Sequence, residues 1–197
     1  MDTEASDEIL GATYRALCKH GHADLTMQRI ADESSLSTAA FHYHFDTKAD
    51  LLDAFLEHLI DQFEDDLACE SSDPGVRLRA FLDAVFDPAA SAADRDSDFP
   101  VALYEIKARS PYQQTYRARL VEMDRRMHEV LASAVRDGVE AGRFDEADPD
   151  EVARFVVTLI NGAHSRQVAL GEDPETTRAL VEDYLERRLG WSPEVVA

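Results

Sequence analysis

The stretch Thr26–Phe45, TMQRIADESSLSTAAFHYHF, decides the reading of the chain. Thr26 and Ser37 each stand where a side-chain oxygen caps the open N–H groups of a helix start. The spacing predicts two short helices, the first ending near residue 34 and the second running to about residue 45. Between them Ser34-Ser35-Leu36 leaves room only for a tight turn. Ile30 and Ala31 fall on the inner face of the first helix, and Leu36, Phe41 and Phe45 on that of the second. The small Ala31 permits close approach of the two helices, while Leu36 plugs the turn. A pair joined in this way is a helix-turn-helix, whose second helix is presented to the major groove of DNA. Its outward positions are Thr38, Ala39, His42 and Tyr43. At Ala39 the missing long side chain lets the backbone approach the bases, and the methyl is placed to touch a thymine methyl.

Outward from this pair the pattern is helical on both sides, and an all-α fold of about nine helices is expected. Leu10, Tyr14, Leu17 and Cys18 make a stripe at helical spacing over residues 7–20, stopped by Gly21. Thr47 is placed to cap a long fourth helix carrying Leu51, Leu52, Phe55, Leu59 and Phe63. After Asp73-Pro74-Gly75 come a helix over residues 76–86 and a segment, 87–98, whose Ala, Ser and Asp content predicts a mobile loop. Pro100 is expected to open a short helix and Pro111 a long one ended by Gly142. Asp148-Pro149 starts the penultimate helix, Gly171 stops it, and Pro174 opens the last.

Composition bounds the function. Of 197 residues, 40 are acidic and 20 basic, for a net charge of -20; three of the bases are lysine and the rest arginine. Such a chain repels itself in dilute buffer, which suggests adaptation to a salt-rich cytoplasm. Taken alone, an acidic chain argues against a nucleic-acid partner, so DNA binding has to rest on local features. No run of about 18 apolar residues suggests a membrane span, and the start lacks a signal-peptide layout; a soluble, cytoplasmic protein is expected. Two cysteines, Cys18 and Cys69, form no metal or redox pair.

The segment IADESSLSTAAFHYHFDTKADLLDAF, Ile30 to Phe55, resembles the DNA-binding domain of the TetR family of transcriptional regulators. The matching features are Ile30-Ala31, the turn Leu36-Ser37, the block His42-Tyr43-His44-Phe45 and Lys48. The resemblance implies a homodimer with a DNA-binding domain, residues 1–47, and a helical ligand-binding and dimerisation domain, residues 48–197. It implies that Tyr43 and His44 contact phosphate or base edges, that Lys48 meets a phosphate beside the helix N–H groups, and that Gln28 contacts base or backbone. The expected DNA-contacting set is Thr26, Gln28, Thr38, Ala39, His42, Tyr43, His44 and Lys48. Two positions depart from the family pattern: His42 replaces a tyrosine and Ala40 a hydroxyl residue, so two donors are missing. Residues 1–55 hold four cations, Arg15, Lys19, Arg29 and Lys48, against ten acids, a net charge of -6. Binding by this head is expected to lean on hydrogen bonds, shape and histidine protonation more than on counterion release.

The remaining chain suggests the other half of such a regulator. Phe86, Tyr104, Tyr116, Met123, Met127, Asn161 and His164 are candidates to line a cavity for an unknown small effector, taken as apolar. Phe155, Leu159 and Ala163, with Leu180, Tyr184 and Leu185 on the last helix, are candidates for a four-helix dimer interface. No nucleophile with its base, paired acid–base carboxylates or glycine-rich phosphate loop marks a catalytic site, and no cofactor is implied. The histidines at 20, 22, 42, 44 and 58 lack the spacing of metal ligands. The expectation is therefore a repressor released from a pseudo-palindromic operator by its effector. The alternative is a helical protein-interaction or enzymatic module that does not bind DNA.

Overall fold

The computed structural model describes residues 3–67, 71–86 and 99–192. Among these residues every regular element is a helix, and there are nine: α1 (Thr3–His20), α2 (Met27–Asp32), α3 (Thr38–His44), α4 (Lys48–Leu67), α5 (Pro74–Phe86), α6 (Phe99–Arg109), α7 (Gln114–Glu140), α8 (Pro149–Leu170) and α9 (Pro174–Leu189). The 87–98 segment and Cys69 lie outside the described residues.

The helix ends follow from local chemistry. Thr26 accepts from the Arg29 N–H at 3.2 Å, and Ser37 from that of Ala40 at 3.3 Å. Thr47 and Asp50 cap each other reciprocally, each side-chain oxygen taking the other's backbone N–H at 3.1 Å. Asp148 accepts from Asp150 and Glu151 at the start of α8, and Gly171 ends that helix in the left-handed conformation, φ 67°. One boundary departs from expectation: α7 begins at Gln114, not Pro111. Ser110 closes α6 by donating its hydroxyl to Lys107 O at 2.8 Å. Two tight turns then carry the chain past Pro111, Tyr112 N–H bonding Arg109 O and Gln113 N–H bonding Ser110 O.

The chain packs as two compact units, residues 1–62 with 95–121, and residues 63–94 with 122–197. In the first, α1 packs on α2 and α6, and α2 on α3. Its core joins Ile9, Leu17, Ile30, Phe41, Leu51, Leu52 and Phe55 with Ile106 of α6 and Tyr116 of α7. The packing thus does not divide at residue 47, and the helix-turn-helix shares its core with two helices from later in the chain. In the second unit α9 packs on α8 and α5. The core there draws Leu78, Phe81 and Leu82 from α5, Leu131 and Val135 from α7, Val152, Val156 and Ile160 from α8, and Val181, Leu185 and Leu189 from α9. Gly138 of α7 lies under the Phe144 ring, where a Cβ would fall 2.0 Å from Cδ2. No helix among the described residues is long and apolar enough to cross a membrane.

Candidate nucleic-acid interface

The turn between α2 and α3 is stapled by Ser34, whose hydroxyl donates to Ala31 O at 3.1 Å and accepts the Leu36 N–H at 3.0 Å. Leu36 and Phe45 pack against the core from the edge, while Ile30 and Phe41 are fully enclosed by it. Burial of these inner positions fixes which face of α3 looks outward. Ala39 and His42 are exposed there, and Tyr43 is 86% exposed, the largest fraction among the exposed large apolar side chains. His44 is half-buried, its ring edge-on to that of Tyr43 with centroids 5.3 Å apart.

Thr26, Gln28 and Thr38 have partners within the protein. The Thr26 hydroxyl oxygen serves as the α2 cap. Thr38 donates to Gln28 Oε1 at 3.0 Å, and Gln28 Nε2 donates to Asp32 Oδ1 at 2.8 Å. Because the carboxylate only accepts, Asp32 sets which way the Gln28 amide faces. One amide hydrogen and one lone pair of Gln28 remain for a ligand. Asp32 was not among the expected residues, although the Gln28–Asp32 i, i+4 spacing signals the contact.

Lys48 is half-buried and its Nζ donates to Leu25 O at 2.9 Å, in the α1–α2 turn. Burial and then the nearby Arg109 charge push its pKa below the ordinary lysine value. The same turn holds His22, buried edge-on against Tyr116 with centroids 5.9 Å apart. Neither ring nitrogen of His22 has a hydrogen-bond partner among the described residues. Burial foremost, then the Lys48 and Arg109 charges, lower its pKa, while Glu105 opposes them. The Glu105 carboxylate on α6 accepts the His22 backbone N–H and sits against Gly21, where a Cβ would lie 3.0 Å from Oε2. Gly21 also has φ 68°, so both its backbone conformation and the carboxylate call for glycine. Glu105 lies 83 residues from His22, and nothing local in the sequence signals the contact.

The four cations of the head are all engaged within it. Arg15 binds Glu33 O at 3.2 Å and 2.7 Å, Lys19 pairs with Glu33 at 2.7 Å, Arg29 binds Asp24 O at 2.6 Å, and Lys48 holds Leu25 O.

The seven candidate effector residues are divided between the two units. Tyr104 and Tyr116 belong to the first unit, and Tyr116 is part of its core. Phe86, Met123 and Met127 join the core of the second unit. There His164 Nε2 lies 3.2 Å from Val85 O, and Asn161 Nδ2 donates to Val157 O at 3.1 Å and Asp124 Oδ1 at 3.3 Å. The six dimer candidates also divide. Ala163 and Leu185 are buried within the unit, on the inner side of α8 and α9. Phe155 (43% exposed) and Leu180 (60% exposed) face solvent. Leu159 and Tyr184 are half-buried, and the Tyr184 ring packs on Phe155 at 4.2 Å. Among the described residues no cluster of His, Cys, Asp and Glu is placed to hold a metal ion.

Comparison with known proteins agrees with this geometry. Residues 9–55 match the family model described as "Bacterial regulatory proteins, tetR family", and residues 74–190 match "BetI-type transcriptional repressor, C-terminal". The chain belongs to the TetR family. A TetR transcription regulator of Haloarcula marismortui is 39% identical, with TM-score 0.88, over 95% of this chain and 99% of that one. The HTH-type transcriptional regulator BetI of Brucella canis is 27% identical over 94% of this chain and 92% of its own length. A regulator from Saccharomonospora viridis, solved in complex with choline, shares the fold at TM-score 0.82 and 22% identity, over 95% of this chain and 98% of that one. This TetR-family protein is thus a ligand-responsive, DNA-binding transcriptional regulator of the BetI type. Its relatives are transcriptional regulators, so the enzymatic alternative falls away.

Proposed function

We propose that the protein represses transcription as a dimer, inserting two α3 helices into successive major grooves of a pseudo-palindromic operator. The half-sites would then lie about 34 Å apart, one helical turn. The observation that carries this reading is the division of α3, with Phe41 wholly enclosed while Ala39, His42 and Tyr43 stand in solvent. Tyr43, His42 and Ala39 meet bases or phosphates, and Lys48 meets a phosphate with the protons its bond to Leu25 leaves free. Thr38 and Gln28 present the donor and acceptor sites that their mutual bond leaves open. Thr26 contributes as the cap that points α2 toward the duplex.

Residues 1–47 form the reading domain in this scheme, and residues 48–197 the ligand-binding and dimerisation domain. Phe155, Leu159, Leu180 and Tyr184 carry the dimer contact. A small effector binds among Phe86, Met123, Met127, Asn161 and His164 and releases the operator because it prefers the non-binding conformer. Choline, held by the Saccharomonospora relative, is the first compound to try, ahead of an apolar effector. The net charge of -20 and the Haloarcula relative support a salt-rich cytoplasm as the setting.

The test is duplex binding after Tyr43→Ala. Selection from a random-sequence pool supplies a duplex of about 30 base pairs, enough for two half-sites. The variant should bind it about tenfold to a hundredfold more weakly, as expected for loss of a specific groove contact. Equal binding by the variant, its fold intact, refutes the placement of α3.

A further inference from the structure

The head contains too few free cations for an ordinary phosphate grip, and the structure shows which groups remain. Arg15, Lys19, Arg29 and Lys48 each hold an acceptor of the head itself. His20 lies 3.9 Å from Glu33. On α3, by contrast, neither His42 nor His44 forms an ion pair or hydrogen bond among the described residues, and α3 has no lysine or arginine. The charged groups on the elements packed around α3 are largely occupied elsewhere. On α1, Glu8 takes the Ser35 N–H and pairs with Arg15. On α2, Asp32 holds Gln28 and Arg29 holds Asp24 O. At the start of α4, Asp50 caps Thr47 and Lys48 holds Leu25 O. Asp46 is exposed in the connection after α3.

Resting on the proposed operator-binding role of α3, we propose that His42 and His44 enter the complex as imidazolium ions against DNA phosphates, so that operator binding takes up protons. Imidazole is the side chain whose charge changes near neutral pH, and a phosphate favours its charged form. Each histidine takes its proton from solvent and adds positive charge to a head whose four lysines and arginines already hold acceptors within it. Binding is therefore linked to pH: affinity rises as pH falls, by up to tenfold per pH unit for each imidazole that charges on binding.

The full-length protein and the selected duplex of about 30 base pairs test this. Affinity is measured between about pH 5 and pH 8 for the native protein, His42→Gln/His44→Gln and His42→Arg/His44→Arg, with circular dichroism confirming the fold at each pH. The native protein should bind at least about tenfold more tightly at the acid end. The glutamine pair should bind weakly and the arginine pair tightly, both without that pH dependence. The salt slope of the native protein should also steepen on acidification, by about 0.9 for each new imidazolium–phosphate contact. Native binding that does not vary with pH overturns the proposal, as does pH dependence that survives in the glutamine pair. Failure of the native protein to bind duplex at any pH would instead remove the operator-binding reading, and this one with it.

Discussion

Removing the Glu105 carboxylate should loosen the joint between α1 and α2. In Glu105→Ala the His22 N–H loses its acceptor, and no other group is shown bonding it. A hydrogen bond to a charged acceptor is worth about 1.5–3 kcal/mol net. Glu105 is half-buried, so water can reach the vacated N–H and the loss should sit in the lower part of that range. A loss of about 2 kcal/mol corresponds to roughly thirtyfold more frequent opening of the turn. For a chain of 197 residues unfolding together it lowers the melting temperature by about 4–8 °C. Glu105→Gln keeps a carbonyl oxygen for the N–H and loses only the charge, so its effect should be about half as large. Hydrogen exchange of a peptide covering residues 20–26 reads the opening directly, and calorimetry reads the melting temperature. Thr26 opens α2 just after this turn, so operator affinity should fall in the same order, Ala below Gln below native. Unchanged exchange and melting in Glu105→Ala would show that the contact does not hold the turn.

Three further outcomes are expected. Gly138→Ala should destabilise by about 1–2 kcal/mol in a urea melt, because overpacking against Phe144 exceeds the ~1 kcal/mol that helix propensity would return; a more stable variant would contradict that packing. Leu180→Asp, on a side chain 60% exposed, should leave the helices intact yet shift the sedimenting species from dimer to monomer, and a persistent dimer would place the interface elsewhere. Because the folded pKa of His22 lies below its ordinary 6.5, the unfolded chain binds the proton first, so stability is full above that value and declines as pH falls toward the folded pKa. Melts of native protein and His22→Leu across this range should differ by that decline, and identical pH profiles would exclude His22 as its source.

What the sequence made legible was what short-range chemistry controls. Thr26, Ser37, Thr47 and Asp148 each cap a helix whose exposed N–H groups lie two or three residues on, so a hydroxyl or carboxylate at the right offset is sufficient evidence. The inner and outer faces of α3 follow in the same way from helical periodicity. Pro111 misled because proline suits a turn as well as a first helical turn, and only the Ser110 and Tyr112 bonds decide between them. Contacts across the chain left no such trace. That Ile106 and Tyr116 share a core with the reading helices, or that Glu105 closes on His22, depends on how distant helices pack. The candidate interface on α8 and α9 was blurred for a related reason. Phe155, Ala163, Leu180 and Leu185 are alike in hydropathy, and only the packing of the two helices separates the pair that fills the core from the pair that faces out.

Two histidine environments in one small head oppose each other, and the opposition bounds where the regulator can work. His22 is enclosed, with cations nearby and its ring nitrogens unpartnered, so each step toward acid favours the unfolded head that can charge it. His42 is exposed on α3 and His44 is half-buried beside it, its ring edge-on to Tyr43, and a phosphate there rewards the charged ring. Acidification then strengthens the grip on DNA while weakening the joint that aims it. Affinity should therefore rise on acidification in the native protein and in His22→Leu but not in His42→Gln/His44→Gln, while the melting temperature should decline in the native protein and the glutamine pair and decline less in His22→Leu. Affinity and melting profiles that are the same in all three proteins would mean that neither environment acts where the protein binds.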